Sequence, residues 1–405
     1  MRQRIGALGP PHVIAALLAS VLLIAPTVSS YTSAALYALI AMAFASYARG
    51  PAQNQLQPVE KLIALIFAAY FLVGTARGLF APDPAAALVQ TAPNLVFLLA
   101  APMFPLLRRH LREADGDVML AMLAAGGVVI GIYSQYYGYT VAKEFDPPTG
   151  NALVLALFCG LAGLILFERA FLSPGPAPWL LIAGFAGATA ALWLTARRSV
   201  ILAYLICVLI LVVWSARHLY WARLAAAILI VAACAAASPV GNAAVERFSD
   251  TKPLSAEPSR SGSTGDLLRK SMLIGGARAF LARPLIGHGR QNAVSAANTL
   301  RNEGDAPFDH FNHLHSAPLT EAVSAGLPGL AAFLALFVTP LLALRQARGS
   351  LKRAALTGTL FFALCSLLNI GFYIDATASA FVLAVTVLNA LALTSVNPPS
   401  APTAS

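Results

Sequence analysis

Long apolar runs recur along most of the chain, and they constrain its fold more than any other feature. A membrane-crossing helix needs about 20 mainly apolar residues, and a helix satisfies its backbone hydrogen bonds internally, as lipid requires. Twelve runs approach this length, near 11–29, 32–48, 60–80, 88–107, 118–138, 151–171, 178–196, 199–215, 219–237, 317–344, 354–372 and 376–395. The pattern predicts an all-α polytopic membrane protein with about twelve transmembrane helices.

Composition and charge agree with a membrane protein. Of the 405 residues, 58% are hydrophobic and only 11% are charged, whereas a soluble domain carries about 25% charged residues. The net charge of +10 fits cytoplasmic anchoring among membrane lipids and an anionic ligand better than it fits nucleic-acid binding. We therefore expect membrane lipids among the partners and no nucleic acid.

The distribution of basic residues predicts the orientation. A cytoplasmic N-terminus places fourteen basic residues in cytoplasmic loops, namely Arg2, Arg4, Arg49, Lys61, Arg108, Arg109, Arg112, Arg169, Arg217, Arg223, Arg345, Arg348, Lys352 and Arg353. The short outer loops then hold only Arg77, Lys143, Arg197 and Arg198. Lys and Arg normally collect on the cytoplasmic side, so a multi-pass inner-membrane protein with both termini inside is expected. The N-terminal run is long for a signal peptide and is interpreted as an uncleaved first span.

One long polar segment divides the chain. We expect nine transmembrane helices in 1–237, a periplasmic segment over 238–316, three more helices in 317–396 and a disordered tail at 397–405. Long segments cross the membrane regardless of charge. Within the segment, 266–283 is compatible with an amphipathic helix at the membrane surface, ended by Pro284 and followed by the turn PLIGHG.

A histidine cluster precedes the tenth predicted span. His310, His313 and His315 lie within six residues, and an imidazole exchanges a proton near neutral pH. A catalytic or ligand-positioning histidine is the favoured interpretation. A zinc site and a polar cap at a helix entrance are the alternatives.

Arg197 and Arg198 are the most unexpected charges, because they lie in a short outer loop where Arg is disfavoured. A guanidinium fork is well shaped for phosphate or pyrophosphate. The alternative is a topological anchor, or an ion pair with Glu321 or Asp305.

Weaker candidates surround these two groups. Arg269 is accompanied by Lys270, Arg278 and Arg290, which on an interfacial helix often face anionic lipid. Tyr137 stands in the run YSQYYGYT, followed by Lys143; these tyrosines form either an interfacial belt or a sugar-stacking surface. Arg290, Lys143, Tyr137 and Glu321 are candidate substrate contacts. The four cysteines lie in apolar runs without ligand spacing, so neither a disulfide framework nor a metal site is predicted.

The order of these motifs resembles the O-antigen ligase family of bacterial membrane glycosyltransferases, which also includes O-antigen polymerases and protein O-oligosaccharyltransferases. His315-Ser316, nine residues, then Gly326-x-x-Gly329 follows the ligase pattern of His, then Asn/Ser/Gln, nine residues and G-x-x-G. PLIGHG at 284–289 follows the P-L-x-G-x-G turn.

Two arginines extend the resemblance. Arg198 aligns with the arginine of the family's T-x-S-R-G stretch, although Arg197 replaces the serine and Ser199 the glycine. Arg269 aligns with the arginine upstream of the turn. The motifs cover about 180–340.

The resemblance implies a donor glycan on undecaprenyl pyrophosphate, a lipid A–core oligosaccharide acceptor and a periplasmic site without metal or cofactor. His315 is expected to be the base, with His313 as substitute, and Arg197, Arg198 and Arg269 to bind the pyrophosphate, since arginines stabilise a leaving group's charge. Direct attack by the acceptor would invert the anomeric centre.

Three rival functions remain open. An O-antigen polymerase uses similar chemistry but often has two sizeable outer loops, whereas this chain has one, which favours a ligase. A protein O-oligosaccharyltransferase is a further alternative. A flippase or transporter is a more distant one, because the halves show no repeat and few ionisable residues lie at mid-membrane depth.

Overall fold

The computed structural model describes residues 10–24, 29–50, 54–79, 83–111, 113–141, 152–172, 179–195, 197–215, 220–221, 223–225, 228–229, 232, 263–305, 307–345, 349–367, 372 and 374–394. Every extended regular element within these ranges is helical. The main helices are α1 (Pro10–Ile24), α2 (Ser29–Arg49), α3 (Pro58–Leu79), α4 (Pro84–Thr91), α5 (Leu95–Leu99), α6 (Met103–His110), α7 (Glu113–Val141), α8 (Ala152–Phe167), α9 (Trp179–Leu194), α10 (Arg198–Ser215), α11 (Ser263–Ala282), α12 (Ala293–Thr299), α13 (Ala317–Leu336), α14 (Val338–Ala343), α15 (Gly349–Leu367) and α16 (Asp375–Thr394).

Seven helices in the described ranges are long and apolar enough to cross a membrane, and the pair Pro84–Leu99 and Met103–His110, bent by 45°, would make an eighth. Two shorter apolar helices, His12–Ile24 and Trp179–Leu194, accompany them. These helices coincide with ten of the twelve predicted spans. The predicted span 354–372 overlaps α15, and 219–237 lies largely outside the described residues. The all-α polytopic class is confirmed, while the number of twelve spans stays a prediction.

A cluster of buried aromatic rings holds α3, α5, α13 and α16 together. Phe372 contacts Phe97 and Phe381 with ring centroids 5.3 and 4.9 Å apart. Tyr70 packs edge-on against Phe97 at 5.1 Å, and Phe333 lies 5.9 Å from Phe372. Edge-to-face pairs at these distances add to the stabilisation from buried area. Four of the rings, those of Tyr70, Phe97, Phe333 and Phe381, come from four separate helices, so the cluster fixes α13 against α3.

Helices α11 and α12 and the loop residues 300–305 and 307–316 pack over the first turns of α13 and share one small core with them. Its fully or largely buried members are Met272, Ala279, Ala293, Val294, Ala297, Phe308, Leu314 and Val323. The backbones of α11 and α12 nearly touch, since a Cβ atom on Gly275 would lie 2.2 Å from the carbonyl oxygen of Ala297. The helix expected over 266–283 is therefore present, and its inward face packs on protein. The larger 238–316 segment is described only from residue 263 onward.

Candidate active site

His315 stands immediately before α13 in a left-handed backbone conformation. Its φ of 51° is the one positive value among the non-glycine residues that the structure describes. Such a conformation costs about 1–3 kcal/mol and is typical of functional positions held by their surroundings. Here the hydroxyl of Thr320 accepts the N–H of Leu314 at 3.2 Å and donates to the carbonyl of Ser316 at 2.7 Å. Thr320 thus ties the histidine segment to the helix that follows.

The rings of His313 and His315 contact each other, with centroids 4.4 Å apart. Burial, assisted by the neighbouring His315, lowers the pKa of His313 to about 4. Burial, assisted by the charge of Arg269, lowers the pKa of His315 below its ordinary value. Both imidazoles are therefore neutral near pH 7, and a neutral imidazole can accept a proton. His310 is exposed, and its ring packs on Phe311 at 4.2 Å.

Arg269, on the exposed side of α11, acts electrostatically on His315. The two residues are 46 positions apart in sequence, and the packing of α11 over the start of α13 brings them together. The structure thus places three of the predicted site residues, Arg269, His313 and His315, in one cluster. Among the residues that the structure describes, no group of three or more His, Cys, Asp or Glu side chains is arranged to hold a metal ion.

The turn PLIGHG inserts into a break in α13. Gly326 has φ 69° and ψ −156°, so the helical hydrogen-bond pattern is interrupted there. Three backbone hydrogen bonds cross the break: His288 N–H to Val323 carbonyl and Gly289 N–H to Ser324 carbonyl, both 2.8 Å, and Leu327 N–H to Pro284 carbonyl, 2.7 Å. The turn therefore satisfies backbone groups that the broken helix leaves without helical partners.

Glycine is required on both sides of this contact. A Cβ atom on Gly326 would lie 2.6 Å from the carbonyl oxygen of Pro284, and one on Gly287 would lie 2.5 Å from that of Ser324. Both glycines also have positive φ, which favours glycine. Gly326 therefore breaks the helix and admits the turn. His288 is partly buried, and its Nε2 lies 2.8 Å from the carbonyl oxygen of Ala279.

A buried polar cluster forms around Arg290, which immediately follows the turn. Arg290 Nη2 is 3.6 Å from Glu321 Oε1, and the hydroxyl of Tyr70 donates to the same oxygen at 2.9 Å. The Asn94 amide, oriented so that both of its ends have partners, accepts from Arg290 at 2.7 and 3.3 Å and donates to the Phe372 carbonyl at 2.9 Å. Arg290 and Glu321, predicted as candidate substrate contacts, thus contact each other and are buried.

Two members of this cluster were not foreseen from the sequence. Tyr70 and Asn94 stand within apolar runs on α3 and beside α4, far along the chain from Glu321. Nothing in the local sequence pattern marks Tyr70. A polar residue inside a predicted span, as Asn94 is, was the one available signal, because buried polar groups in a membrane are costly and usually have a partner.

Arg197 and Arg198 lie at the junction of α9 and α10, and both are exposed. The N–H of Arg197 is 3.4 Å from the Thr195 hydroxyl, and its carbonyl accepts from Val200 and Ile201 at 3.0 Å. Helix α10 packs on α8 and α15. That Arg197 and Arg198 share a site with Arg269 and His315 stays a prediction. Tyr137 belongs to α7, but its side chain and Lys143 lie outside the described residues.

An all-helical bundle with at least seven apolar helices of membrane-spanning length, and a cationic and imidazole cluster before one of them, defines a multi-pass membrane protein. Residues 183–334 match the family model described as O-antigen ligase. This match confirms the resemblance predicted from the motifs: residues 183–334 are similar to the O-antigen ligase family. No curated protein matches the chain.

The matched range contains Arg197, Arg198, Arg269, Arg290, His313, His315 and Glu321. Tyr137 and Lys143 precede it. The family indicates a membrane glycosyltransferase of the O-antigen ligase or polymerase type, acting on glycan and lipid-linked substrates.

Proposed function

We propose that this chain is an O-antigen ligase, which transfers a glycan from undecaprenyl pyrophosphate to a hydroxyl group of lipid A–core oligosaccharide. The observation that carries the proposal is the meeting of Arg269 with His313 and His315 within the family match. A cation beside a neutral imidazole supplies the two functions that the reaction requires: stabilisation of a pyrophosphate leaving group and removal of a hydroxyl proton.

The proposed topology places this site at the periplasmic face of the inner membrane. Twelve spans with both termini inside put 238–316, and therefore the start of α13, on the outer side. The asymmetry of basic residues supports this orientation, because fourteen lie in the inner loops and four in the short outer loops. The proposed chain divisions are 1–237, 238–316, 317–396 and the tail 397–405.

The proposed reaction is a direct displacement that needs no metal or cofactor. The oxygen of the acceptor hydroxyl forms a bond to the anomeric carbon, and the proton of that hydroxyl passes to His315. At the same time the bond between the anomeric carbon and the pyrophosphate oxygen breaks. The electron pair leaves with the pyrophosphate, whose developing charge is stabilised by Arg269 together with Arg197 and Arg198. Attack opposite the leaving group inverts the anomeric centre.

His315 is better suited than His313 to act as the base. A general base works best when its pKa is close to the working pH. The pKa of His313 is lowered to about 4 and this residue is 8% exposed, whereas His315 is only partly buried and is therefore more accessible to an acceptor hydroxyl. His313 therefore holds a proton poorly at neutral pH, and its ring contact fixes the orientation of His315.

An in vitro transfer assay tests the proposal. Purified protein receives undecaprenyl-pyrophosphate-linked glycan and lipid A–core in detergent with a metal chelator present, and lipopolysaccharide carrying the glycan is the expected product. His315→Ala and Arg269→Gln should each lower the rate at least 100-fold, whereas His310→Ala, at an exposed neighbour, should remain within twofold of wild type.

Other products would identify the rival functions. Elongation of the lipid-linked glycan without acceptor would identify a polymerase, and glycan on a protein would identify an oligosaccharyltransferase. Movement of the donor across vesicles without transfer would identify a flippase. A trapped glycosyl-enzyme intermediate would contradict direct displacement.

A further inference from the structure

The Glu321–Arg290 pair connects the two segments that shape the candidate site. Arg290 directly follows the turn 284–289, and Glu321 lies six residues after His315 on the first part of α13. Both side chains are almost fully buried. Tyr70, which bonds to Glu321, belongs to α3, and Asn94, which bonds to Arg290, lies in the turn after α4. The pair thus ties the turn and the start of α13 to the helical bundle.

A purely stabilising role explains this pair poorly. Removing two charges from water costs several kcal/mol per ion, and an apolar replacement of similar size is often as stable or more stable. Buried ion pairs are well attested as devices that select one arrangement among alternatives. In this protein, the pair can select the arrangement in which the turn is inserted into the break of α13. The break, at Gly326, follows Glu321 in the same helix.

Two other buried carboxylates of the described chain provide an internal comparison. Glu60 binds Arg108 at 2.5 Å, and Glu168 binds Arg353 at 2.6 Å. Arg353 lies near the start of α15. The span Ala317–Ala343 separates it from His315, which stands at the other end of that span. Of these three pairs, Glu321–Arg290 is therefore the one that adjoins the histidines, while Glu168–Arg353 offers a matched pair remote from them.

We propose that Glu321 is a positioning residue, which acts through Arg290 to hold the turn and the first turns of α13 in the arrangement that sets His315 beside Arg269. The proposal deepens, and rests on, the proposed glycosyl transfer. Neither Glu321 nor Arg290 needs to touch the substrate. Their loss should therefore lower kcat and leave the KM for the donor nearly unchanged.

The test compares Glu321→Gln, Arg290→Gln and the double variant Arg290→Gln/Glu321→Gln in the transfer assay. Each single variant should lose at least tenfold in kcat, with the donor KM within threefold of wild type. The double variant should lose no more than the worse single variant, because residues that act as one unit are not additive. The control Glu168→Gln/Arg353→Gln should shift the thermal midpoint while kcat stays within twofold.

The double variant decides the question if a single variant fails to fold, because it leaves neither a buried carboxylate nor a buried guanidinium without its partner. A double variant with wild-type kcat would overturn the positioning role, as would losses from the two single variants that multiply. A wild-type protein that transfers no glycan would instead overturn the proposed function. The two failures are therefore distinguishable within one experiment.

Discussion

At the scale of single residues, the proposed mechanism predicts that the charge of Arg269 links donor binding to the basicity of His315. Burial and then Arg269 lower the pKa of His315, and activity falls as pH drops through that pKa because the base becomes protonated. A bound pyrophosphate offsets the charge of Arg269, so the pKa of His315 should be higher in the complex. The acid limb of kcat, which reports the complex, should therefore lie at higher pH than that of kcat/KM, which reports the free enzyme.

Substitution of Arg269 separates this charge effect from burial. Arg269→Gln removes the repulsion in the free enzyme, so the acid limb of kcat/KM should move to higher pH. Arg269→Lys retains the charge, and its limb should stay at the wild-type position although its rate falls for lack of the bidentate fork. The measurement is the pH dependence of kcat/KM for the three proteins. A limb that moves to lower pH in Arg269→Gln would refute the coupling.

The backbone of His315 makes a second prediction at the same scale. Because its φ is 51°, His315→Gly relieves strain that His315→Ala retains. Both variants should lose transfer, but the glycine variant should unfold with a free energy about 1 kcal/mol higher than the alanine variant. Chemical denaturation in detergent measures the difference. The same two changes at His310, which has no positive φ, should favour alanine or show no difference.

At the scale of elements, the break in α13 depends on space for the turn. Gly326 and Gly304 both have positive φ, but a Cβ atom on Gly304 meets nothing within 4 Å, while one on Gly326 meets the backbone of Pro284 and Leu285. Gly304→Ala should cost about 1 kcal/mol of unfolding free energy from backbone strain alone. Gly326→Ala should cost at least about 2 kcal/mol more and should also abolish transfer. Equal losses in the two variants would show that the turn does not depend on this contact.

The sequence predicted most helices, but it did not predict the break in α13 or the long-range contact of Tyr70. The apolar runs predicted most helices, since membrane-spanning length and helical backbone bonding leave few alternatives. Pro284 predicted the end of α11, and the family resemblance named Arg269 and His315 as site residues, which the structure brings together. The Gly326 break was not predicted, because a glycine near a helix start is equally compatible with close packing. Tyr70 was not predicted either, because 251 positions separate it from Glu321 and no local pattern records such a pairing.

At the scale of the whole molecule, the predicted topology puts two buried ion pairs and the histidine cluster at opposite ends of the bundle. The Glu60–Arg108 and Glu168–Arg353 pairs lie at the junctions α2–α3, α6–α7, α8–α9 and α14–α15, which the topology assigns to the cytoplasm. The cluster of Arg269, His313 and His315 lies at the start of α13, whereas the α14–α15 junction follows the other end of the same span. A site restricted to one membrane face suits a reaction between lipid-anchored substrates, whereas transport needs a charged pathway through the bundle.

Cysteine labelling tests this sidedness directly. Cys159, Cys207 and Cys365 are buried, and Cys234 lies outside the described residues, so all four are first replaced with Ala. Glu303→Cys places an exposed thiol in the loop before α13, and Lys352→Cys places one near the start of α15. A membrane-impermeant maleimide should label the first in intact spheroplasts and the second only after permeabilisation. Labelling of both from one side would contradict the proposed orientation, because a single crossing by α13 and α14 would place these two loops on opposite faces of the membrane.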